Sequence, residues 1–571
     1  MTFEVKHNVA VEGSKFMVAS ANPHATLAGY RVLANGGSAI DALIAVQAVL
    51  SLTEPQSSSL IGGGAAITYF DRKSGKTTVI DGRETAPMAA RPDRFLGPNG
   101  EPVPFDDAVR GGRAVGVPGA LAAFERAHKR YGKLAWGTLM QQTIDLAESG
   151  FEVSPRLAAT IAHDPVLRNE PDSSVMKRYF SGEGGKPLRA GSRLKNPALA
   201  KALRMIGEQG AQRAFYEGPI GSDFVATARA SSPHPSDVTE RDLHIYKAKV
   251  RNPVRYTFRG EDGDTYELQS MPPPGGGTSL IEVLGVLDNI GLGTLLPNWS
   301  KRQEWSADFV HAVGQAQALS LADKTFYLSD PAFRAQPAFL TDPQYLRERA
   351  GLVRLDTVMR NARPGHSTPG QHSGEAAPEF PSTTHITIVD ADGNVASCTS
   401  SIEDMNGSRL MSGEYGYTLN NHMTDFKLQP YDGERLVAGH IQPGARPPSS
   451  MAPTIVLRRS KDGDEGEFFA GLGSPGGPSI PAYNLKTMVG IMKGLDPAEA
   501  ISKPNFRGLA GGLIELEEGT SIVELAPELE RKGYQVNITD KNSGVHAIVR
   551  QRNGKLIGGA DGRREGTVMG G

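Results

Sequence analysis

Thr383 and Thr384 open a run, THITIV, that reads as a strand, and Ser397, Thr399 and Ser401 share one face of the next run, VASCTSSI. The bland account of these hydroxyls is a half-exposed hairpin, which threonine and serine suit. The chemical account starts from a weakness. A threonine hydroxyl attacks poorly at neutral pH unless a base takes its proton. The residue's own α-amine, which ordinarily titrates at about 7.7–8.0, is a suitable base, but it is free only at a chain terminus. A mid-chain threonine that works this way must first be released by cutting the bond before it, here between Ser382 and Thr383.

Other stretches also invite chemistry. Gly471, Gly473 and Gly476 satisfy G-x-G-x-x-G after a strand and before a helix, yet no clear βαβ unit surrounds them, so a dinucleotide site is not expected. Gly75-Lys76-Thr77 resembles the end of a phosphate-binding loop. The glycine that loop needs five residues earlier is Phe70, and a turn is the better reading. Cys398 falls with the apolar set of its strand and reads as a buried thiol. No H-E-x-x-H or C-x-x-C spacing occurs, so neither metal nor cofactor is expected.

The elements that would position these groups follow from periodicity. Pro23 to Leu50 carries helical spacing broken at Gly36-Gly37 and predicts a helix pair. Ser57 to Pro87 alternates on both sides of Lys73-Ser74-Gly75-Lys76, as in a hairpin. Helices are expected at Pro118 to Tyr131, Trp136 to Ser149 and Trp305 to Ala322, and a strand at Tyr266 to Ser270. The segment Ala362 to Ser382 is rich in Pro, Gly, Ser and Gln and reads as an exposed, mobile linker. Asp392-Gly393-Asn394 then turns the chain between the two hydroxyl-bearing runs. The class is mixed α/β.

Bulk properties remove several functions. The 571 residues hold 61 Lys and Arg against 63 Asp and Glu, a formal net charge of −2. That balance points to neither a nucleic acid nor a membrane surface as partner. The single cysteine excludes an intrachain disulfide. No leader is read at the N-terminus, so the expected compartment is the cytoplasm on the sequence given, or the periplasm or exterior if a leader has been removed.

The run TTHITIVDADGN resembles the start of the small subunit of the γ-glutamyltranspeptidases (glutathione hydrolases), which are N-terminal-nucleophile hydrolases. GGSAIDA, IGGG, DGRETAP, LNNHMTDF, RPPSSMAPT and GSPGG extend the likeness over nearly the whole chain. The resemblance implies a four-layer αββα sandwich made as a proenzyme. A large part, 1–382, would end in the linker 362–382, and a small part, 383–571, would begin with the nucleophile. The two parts would stay together, and a homodimer of the proenzyme is one assembly to expect.

By the same resemblance Thr383 is the nucleophile, Thr399 and Ser401 hydrogen-bond its amine or hydroxyl, and the Gly476 and Gly477 amides form the oxyanion hole. Arg83, Ser449 and Ser450 would hold a substrate carboxylate, and Asp425 its ammonium. His385 would be structural. Each has a plainer reading, as an ion pair, a loop serine, a turn or a sheet hydroxyl. Glu403 stands where the family has Asn, His422 where it has Gln or Glu, and 404–408 lacks a common aromatic. Such changes leave acyl chemistry in place and bear on specificity. The expected substrate is a γ-glutamyl amide such as glutathione, with transfer to water or an amino acceptor. A second expectation is another small carboxylated amide, such as an oxamate or the acyl side chain of a β-lactam. A third is a ligand-binding homologue that is never cut.

Overall fold

The helix pair of the N-terminal region folds as its sequence dictates. Asn22 caps Pro23–Ala34 by accepting from the His24 amide, and Pro23 sits in the first turn, where its missing N–H costs nothing. Ser38 and Asp41 form a reciprocal capping box that opens Ala39–Thr53. That second helix is buried nearly all round. It therefore lies inside the molecule, against the strands Thr384–Val389 and Val395–Ser401. The structure is a computed structural model describing residues 9–296, 304–367, 382–459 and 466–571; most of the expected linker lies outside them.

Two seven-stranded sheets make the centre. The first runs Thr567–Gly570, Met17–Ser20, Thr384–Val389, Val395–Ser401, Gly64–Asp71, Lys76–Gly82, Lys249–Arg251. The second runs Val11–Gly13, Leu556–Ala560, His546–Arg550, Glu467–Gly473, Thr454–Arg459, Thr265–Ser270, Val254–Arg259. Neighbours within both are antiparallel. The sheets pack face to face around Met17, Phe70, Val395, Ile455, Phe468 and Ile548. Ala39–Thr53 and Ala120–Tyr131 cover the outside of the first sheet; Gly277–Ile290, Ile480–Met492 and Pro497–Ser502 cover the second. The result is the αββα sandwich.

Both expected hairpins form, with Gly75 and Gly393 at positive φ in their turns. Three expected helices have other bounds than periodicity gave, the first starting at Ala120 rather than Pro118. Trp136–Met140 is a 3-10 turn that leads into Gln141–Ser149, and the later helix spans Ala307–Tyr327. The hairpin's polar face differs more. It is not half-exposed: it is buried against the second sheet, where the Thr387 and Ser397 hydroxyls donate to the His546 and Leu472 carbonyls. Ile386, Ile388, Ala396 and Cys398 point the other way, into the core beneath the helices. Burial pushes the Cys398 thiol far up, which leaves it inert.

Candidate active site

Register builds the site. In the hairpin His385 lies opposite Thr399 and Thr387 opposite Ser397, so the residue just before the first strand meets the last residue of the second. Thr383 and Ser401 accordingly share a hydrogen bond of 2.8 Å between hydroxyls. Ser401 also accepts from the Glu403 amide at 2.9 Å. Thr399, expected beside Ser401 at the nucleophile, sits two pairs deeper, and its hydroxyl meets His385 Nδ1 at 2.9 Å.

Proton bookkeeping separates His385 from the chemistry. Thr387 spends its proton on the His546 carbonyl at 3.0 Å, so its oxygen accepts from His385 Nε2 at 3.1 Å. Nδ1 is then the acceptor for Thr399. Burial, with His546 nearby, holds the His385 imidazole well below its ordinary pKa, so it is neutral and committed to the hydroxyls of Thr399 and Thr387, with Ser397 at 3.4 Å from Nε2. Gly473 makes room for it: a Cβ there would lie 2.2 Å from His385 Cε1.

Ser382 and Thr383 are both buried. Ser382 donates to the Gln56 carbonyl at 2.9 Å, and Arg564 Nη1 donates to the Thr383 carbonyl at 3.1 Å. Thr383 has φ +84°, in the left-handed region that β-branched residues avoid. Such a backbone costs roughly 1–3 kcal/mol and persists where its surroundings over-determine it. The anchors on both sides of the bond do that.

Thr383 faces a cleft also lined by Ser401, Glu403, Arg83, His422, Asp425, Ser449, Ser450 and Gly477. Gly476 and Thr399 are not on its wall. The cleft is narrow, about 20 Å³, on the scale of a single water. Gly477 enters it from the loop between Glu467–Gly473 and Ile480–Met492, where Gly476 and Gly477 have φ +130° and +52°. A Cβ on Gly476 would come within 2.5 Å of the Tyr483 ring.

Arg83 is fully buried. Its guanidinium pairs with Asp425, donates to the Pro448 carbonyl at 3.1 Å, and approaches Glu84 at 3.4 Å. Glu403 accepts from Asn421 and from Thr424. Ser449 accepts from the Met451 amide, and Ser450 accepts from Lys324 Nζ at 2.6 Å. His422 Nδ1 lies 2.7 Å from Glu84 Oε1. Burial and the Arg83 charge hold His422 well below its ordinary pKa, while burial pushes Glu84 up to about 8. Near neutrality both are therefore uncharged.

Sequence reading did not single out Glu84, although it follows Arg83 in DGRETAP; its neighbour's role was the only signal. Gln56, Lys324 and Arg564 are likewise contributed by distant segments, and no local pattern marks them. Among the described residues no group of three or more His, Cys, Asp or Glu is placed to hold a metal ion, and no helix is long and apolar enough to cross a membrane.

A buried threonine at the lip of a face-to-face αββα sandwich, sharing a cleft with Gly477 and with an arginine paired to Asp425, fits the N-terminal-nucleophile hydrolase class. The chain belongs to the γ-glutamyltranspeptidase family, whose model matches residues 25–571. It is 33% identical to the glutathione hydrolase proenzyme of Bacillus subtilis, over 98% of this chain and 92% of that one. It is 32% identical to the acylase ACY 1 proenzyme of a Pseudomonas strain, over 98% and 94% of the two chains. The crystal structure of cephalosporin acylase from Bacillus halodurans superposes with a TM-score of 0.82 at 25% identity, covering 100% of this chain and 98% of that one.

Proposed function

We propose that this chain is a proenzyme that cuts itself between Ser382 and Thr383 and then hydrolyses, or transfers the acyl group of, small carboxylated amides. The observation that carries the reading is the Thr383 hydroxyl, held by Ser401 at 2.8 Å on the wall of the cleft and directly behind a buried, anchored peptide bond. In the cut, Thr383 Oγ adds to the Ser382 carbonyl and the peptide nitrogen leaves as the new amine. Water then hydrolyses the resulting ester to give parts 1–382 and 383–571.

In turnover that amine takes the hydroxyl proton as Oγ attacks the substrate amide, and passes it to the departing amine. The Gly477 amide on the cleft wall receives the oxyanion, with the Gly476 amide of the same turn as the second proposed donor, an interaction worth roughly 10²–10³ in rate per donor. Arg83, Ser449 and Ser450 hold the substrate carboxylate, and Asp425 with Glu403 its ammonium. In the uncut chain Arg83 and Asp425 pair with each other; a zwitterionic acyl group would give each a new partner of the same sign as the old one. Water or an amino compound then takes the acyl group from Thr383.

A γ-glutamyl amide such as glutathione fits the carboxylate and ammonium pair. The second reading, another small carboxylated amide, is favoured by one observation: a neutral His422, its Nδ1 2.7 Å from Glu84 Oε1, stands where the family has a group for the substrate ammonium. Turnover of a γ-glutamyl anilide measured beside an oxamate and a glutaryl β-lactam decides between them. A kcat/KM at least about tenfold higher for the anilide supports the glutamyl reading, and the reverse order supports the other. A chain that stays whole yet binds these compounds would instead be a binding homologue.

A further inference from the structure

Buried polar atoms that the turnover mechanism does not use lie behind the bond to be cut. The helix Ala39–Thr53 ends in a tight turn, where the Ser57 and Ser58 amides donate to the Glu54 carbonyl. This turn receives the Ser382 side chain, whose hydroxyl donates to the Gln56 carbonyl at 2.9 Å and lies 3.5 Å from the Ser57 carbonyl. The carbon that the Thr383 hydroxyl attacks in the proposed cut belongs to the same Ser382. Gln56 thus stands against the acyl half of the reacting bond.

The Gln56 side chain is 1% exposed, yet among the described residues neither its amide nitrogen nor its amide oxygen has a partner. Glu54, also buried, accepts from Arg156 Nη1 at 3.2 Å through Oε1, while its Oε2 has no partner. Arg156 donates as well to the Ser57 hydroxyl at 3.3 Å, which ties the turn to the helix Pro155–His163. Unmade hydrogen bonds in the interior cost stability, and native folds keep them few. A buried water makes about three hydrogen bonds to such groups, and this turn offers it both a donor and acceptors.

We propose that Gln56 is a positioning residue for the cut: with Glu54 it holds the water that resolves the ester formed when Thr383 Oγ takes the Ser382 acyl group. The inference rests on the self-cleavage reading above. The Gln56 amide donates to the water and Glu54 Oε2 accepts from it, which leaves a lone pair for the carbon. In the resolving step the water oxygen bonds to the Ser382 carbonyl carbon, and the bond from that carbon to Thr383 Oγ breaks. One proton of the water passes by way of the new Thr383 amine to Oγ. The other is lost to solvent as Ser382 becomes a carboxylate.

Gln56→Met, of nearly the same length, and Gln56→Leu remove the amide and keep an apolar body in its place. Freshly translated full-length chains are followed by intact mass with and without hydroxylamine, a small nucleophile that cleaves an ester without a held water. Both variants are expected to be cut at least about tenfold more slowly than the parent. Hydroxylamine is expected to speed their cut by a factor at least about fivefold larger than in the parent, and to leave a hydroxamate on the 1–382 part. A cut at the parent's rate overturns the proposal. So does a slower cut that hydroxylamine speeds no more than in the parent, because a merely structural change slows the first acyl transfer instead. An unaltered chain that is never cut, with or without hydroxylamine, overturns the self-cleavage reading itself and this inference with it.

Discussion

Ser401 and Thr399 stand two residues apart on one strand face, yet their hydrogen bonds give them different work. Ser401→Ala removes the partner of the Thr383 hydroxyl. A hydrogen bond of about 1–1.5 kcal/mol corresponds to roughly tenfold in rate, so both the cut and kcat should fall by about that factor, beside a stability cost for the Glu403 amide left without its acceptor. Thr399→Ala leaves His385 Nδ1 buried without its donor. Its cost should appear in stability, at about 1–3 kcal/mol, and less in kcat; thermal unfolding and single-turnover kinetics on the two variants separate these outcomes. Behind Arg83, burial raises the pKa of Glu84 to about 8 from an ordinary value of 4.5. Between those values the folded chain keeps a proton that the unfolded chain has lost, so this group makes stability fall as pH rises, by up to about 1.4 kcal/mol per unit. Glu84→Gln should flatten that slope, as measured by denaturant unfolding at about pH 5 and pH 8. An unchanged slope would mean that Glu84 is ionised in the fold.

At the scale of elements, the hairpin and the glycine turn do the positioning. Antiparallel pairing fixes which hydroxyl faces which, and a one-residue slip would turn all of them into the helix-side core. The turn after Glu467–Gly473 depends on Gly476 twice, for its φ of +130° and for its closeness to Tyr483. Gly476→Ala is therefore expected to move the Gly477 amide and reduce kcat about 10²–10³-fold; activity within a few-fold of the parent would remove the turn from the mechanism. These elements were largely legible beforehand. The alternation in THITIV and VASCTSSI, the turn residues between them and the glycine pair each carry a local signal. What no local pattern carries is the sheet that covers the hairpin, because Leu472 and His546, whose carbonyls receive its hydroxyls, lie far along the chain. The polar strand face thus read as half-exposed although it is buried. Thr399 is expected at the nucleophile because strand parity places it on the same face as Ser401, while register puts it two pairs away, opposite His385.

At the scale of the whole molecule, the cut proposed at Ser382 would divide the first sheet's chain but not the sheet. Thr384–Val389 is paired on one side with Met17–Ser20 from the large part and on the other with Val395–Ser401 from the small one. Val395–Ser401 in turn pairs with Gly64–Asp71. The two parts are thus woven through one hydrogen-bonded sheet and one shared core, and severing one bond leaves those contacts in place. The cut would release the Thr383 amine and relieve the positive φ at that residue. The central claim is that Thr383 is the group this fold exists to expose, and the intact mass of the purified protein under denaturing conditions tests it most directly. Two masses are expected that sum to the whole chain plus one water, with threonine 383 as a new N-terminus, and a single uncut mass for Thr383→Ala under the same incubation. A single stable mass for the unaltered chain, or a cut in the Thr383→Ala variant at the same bond and rate, would contradict it.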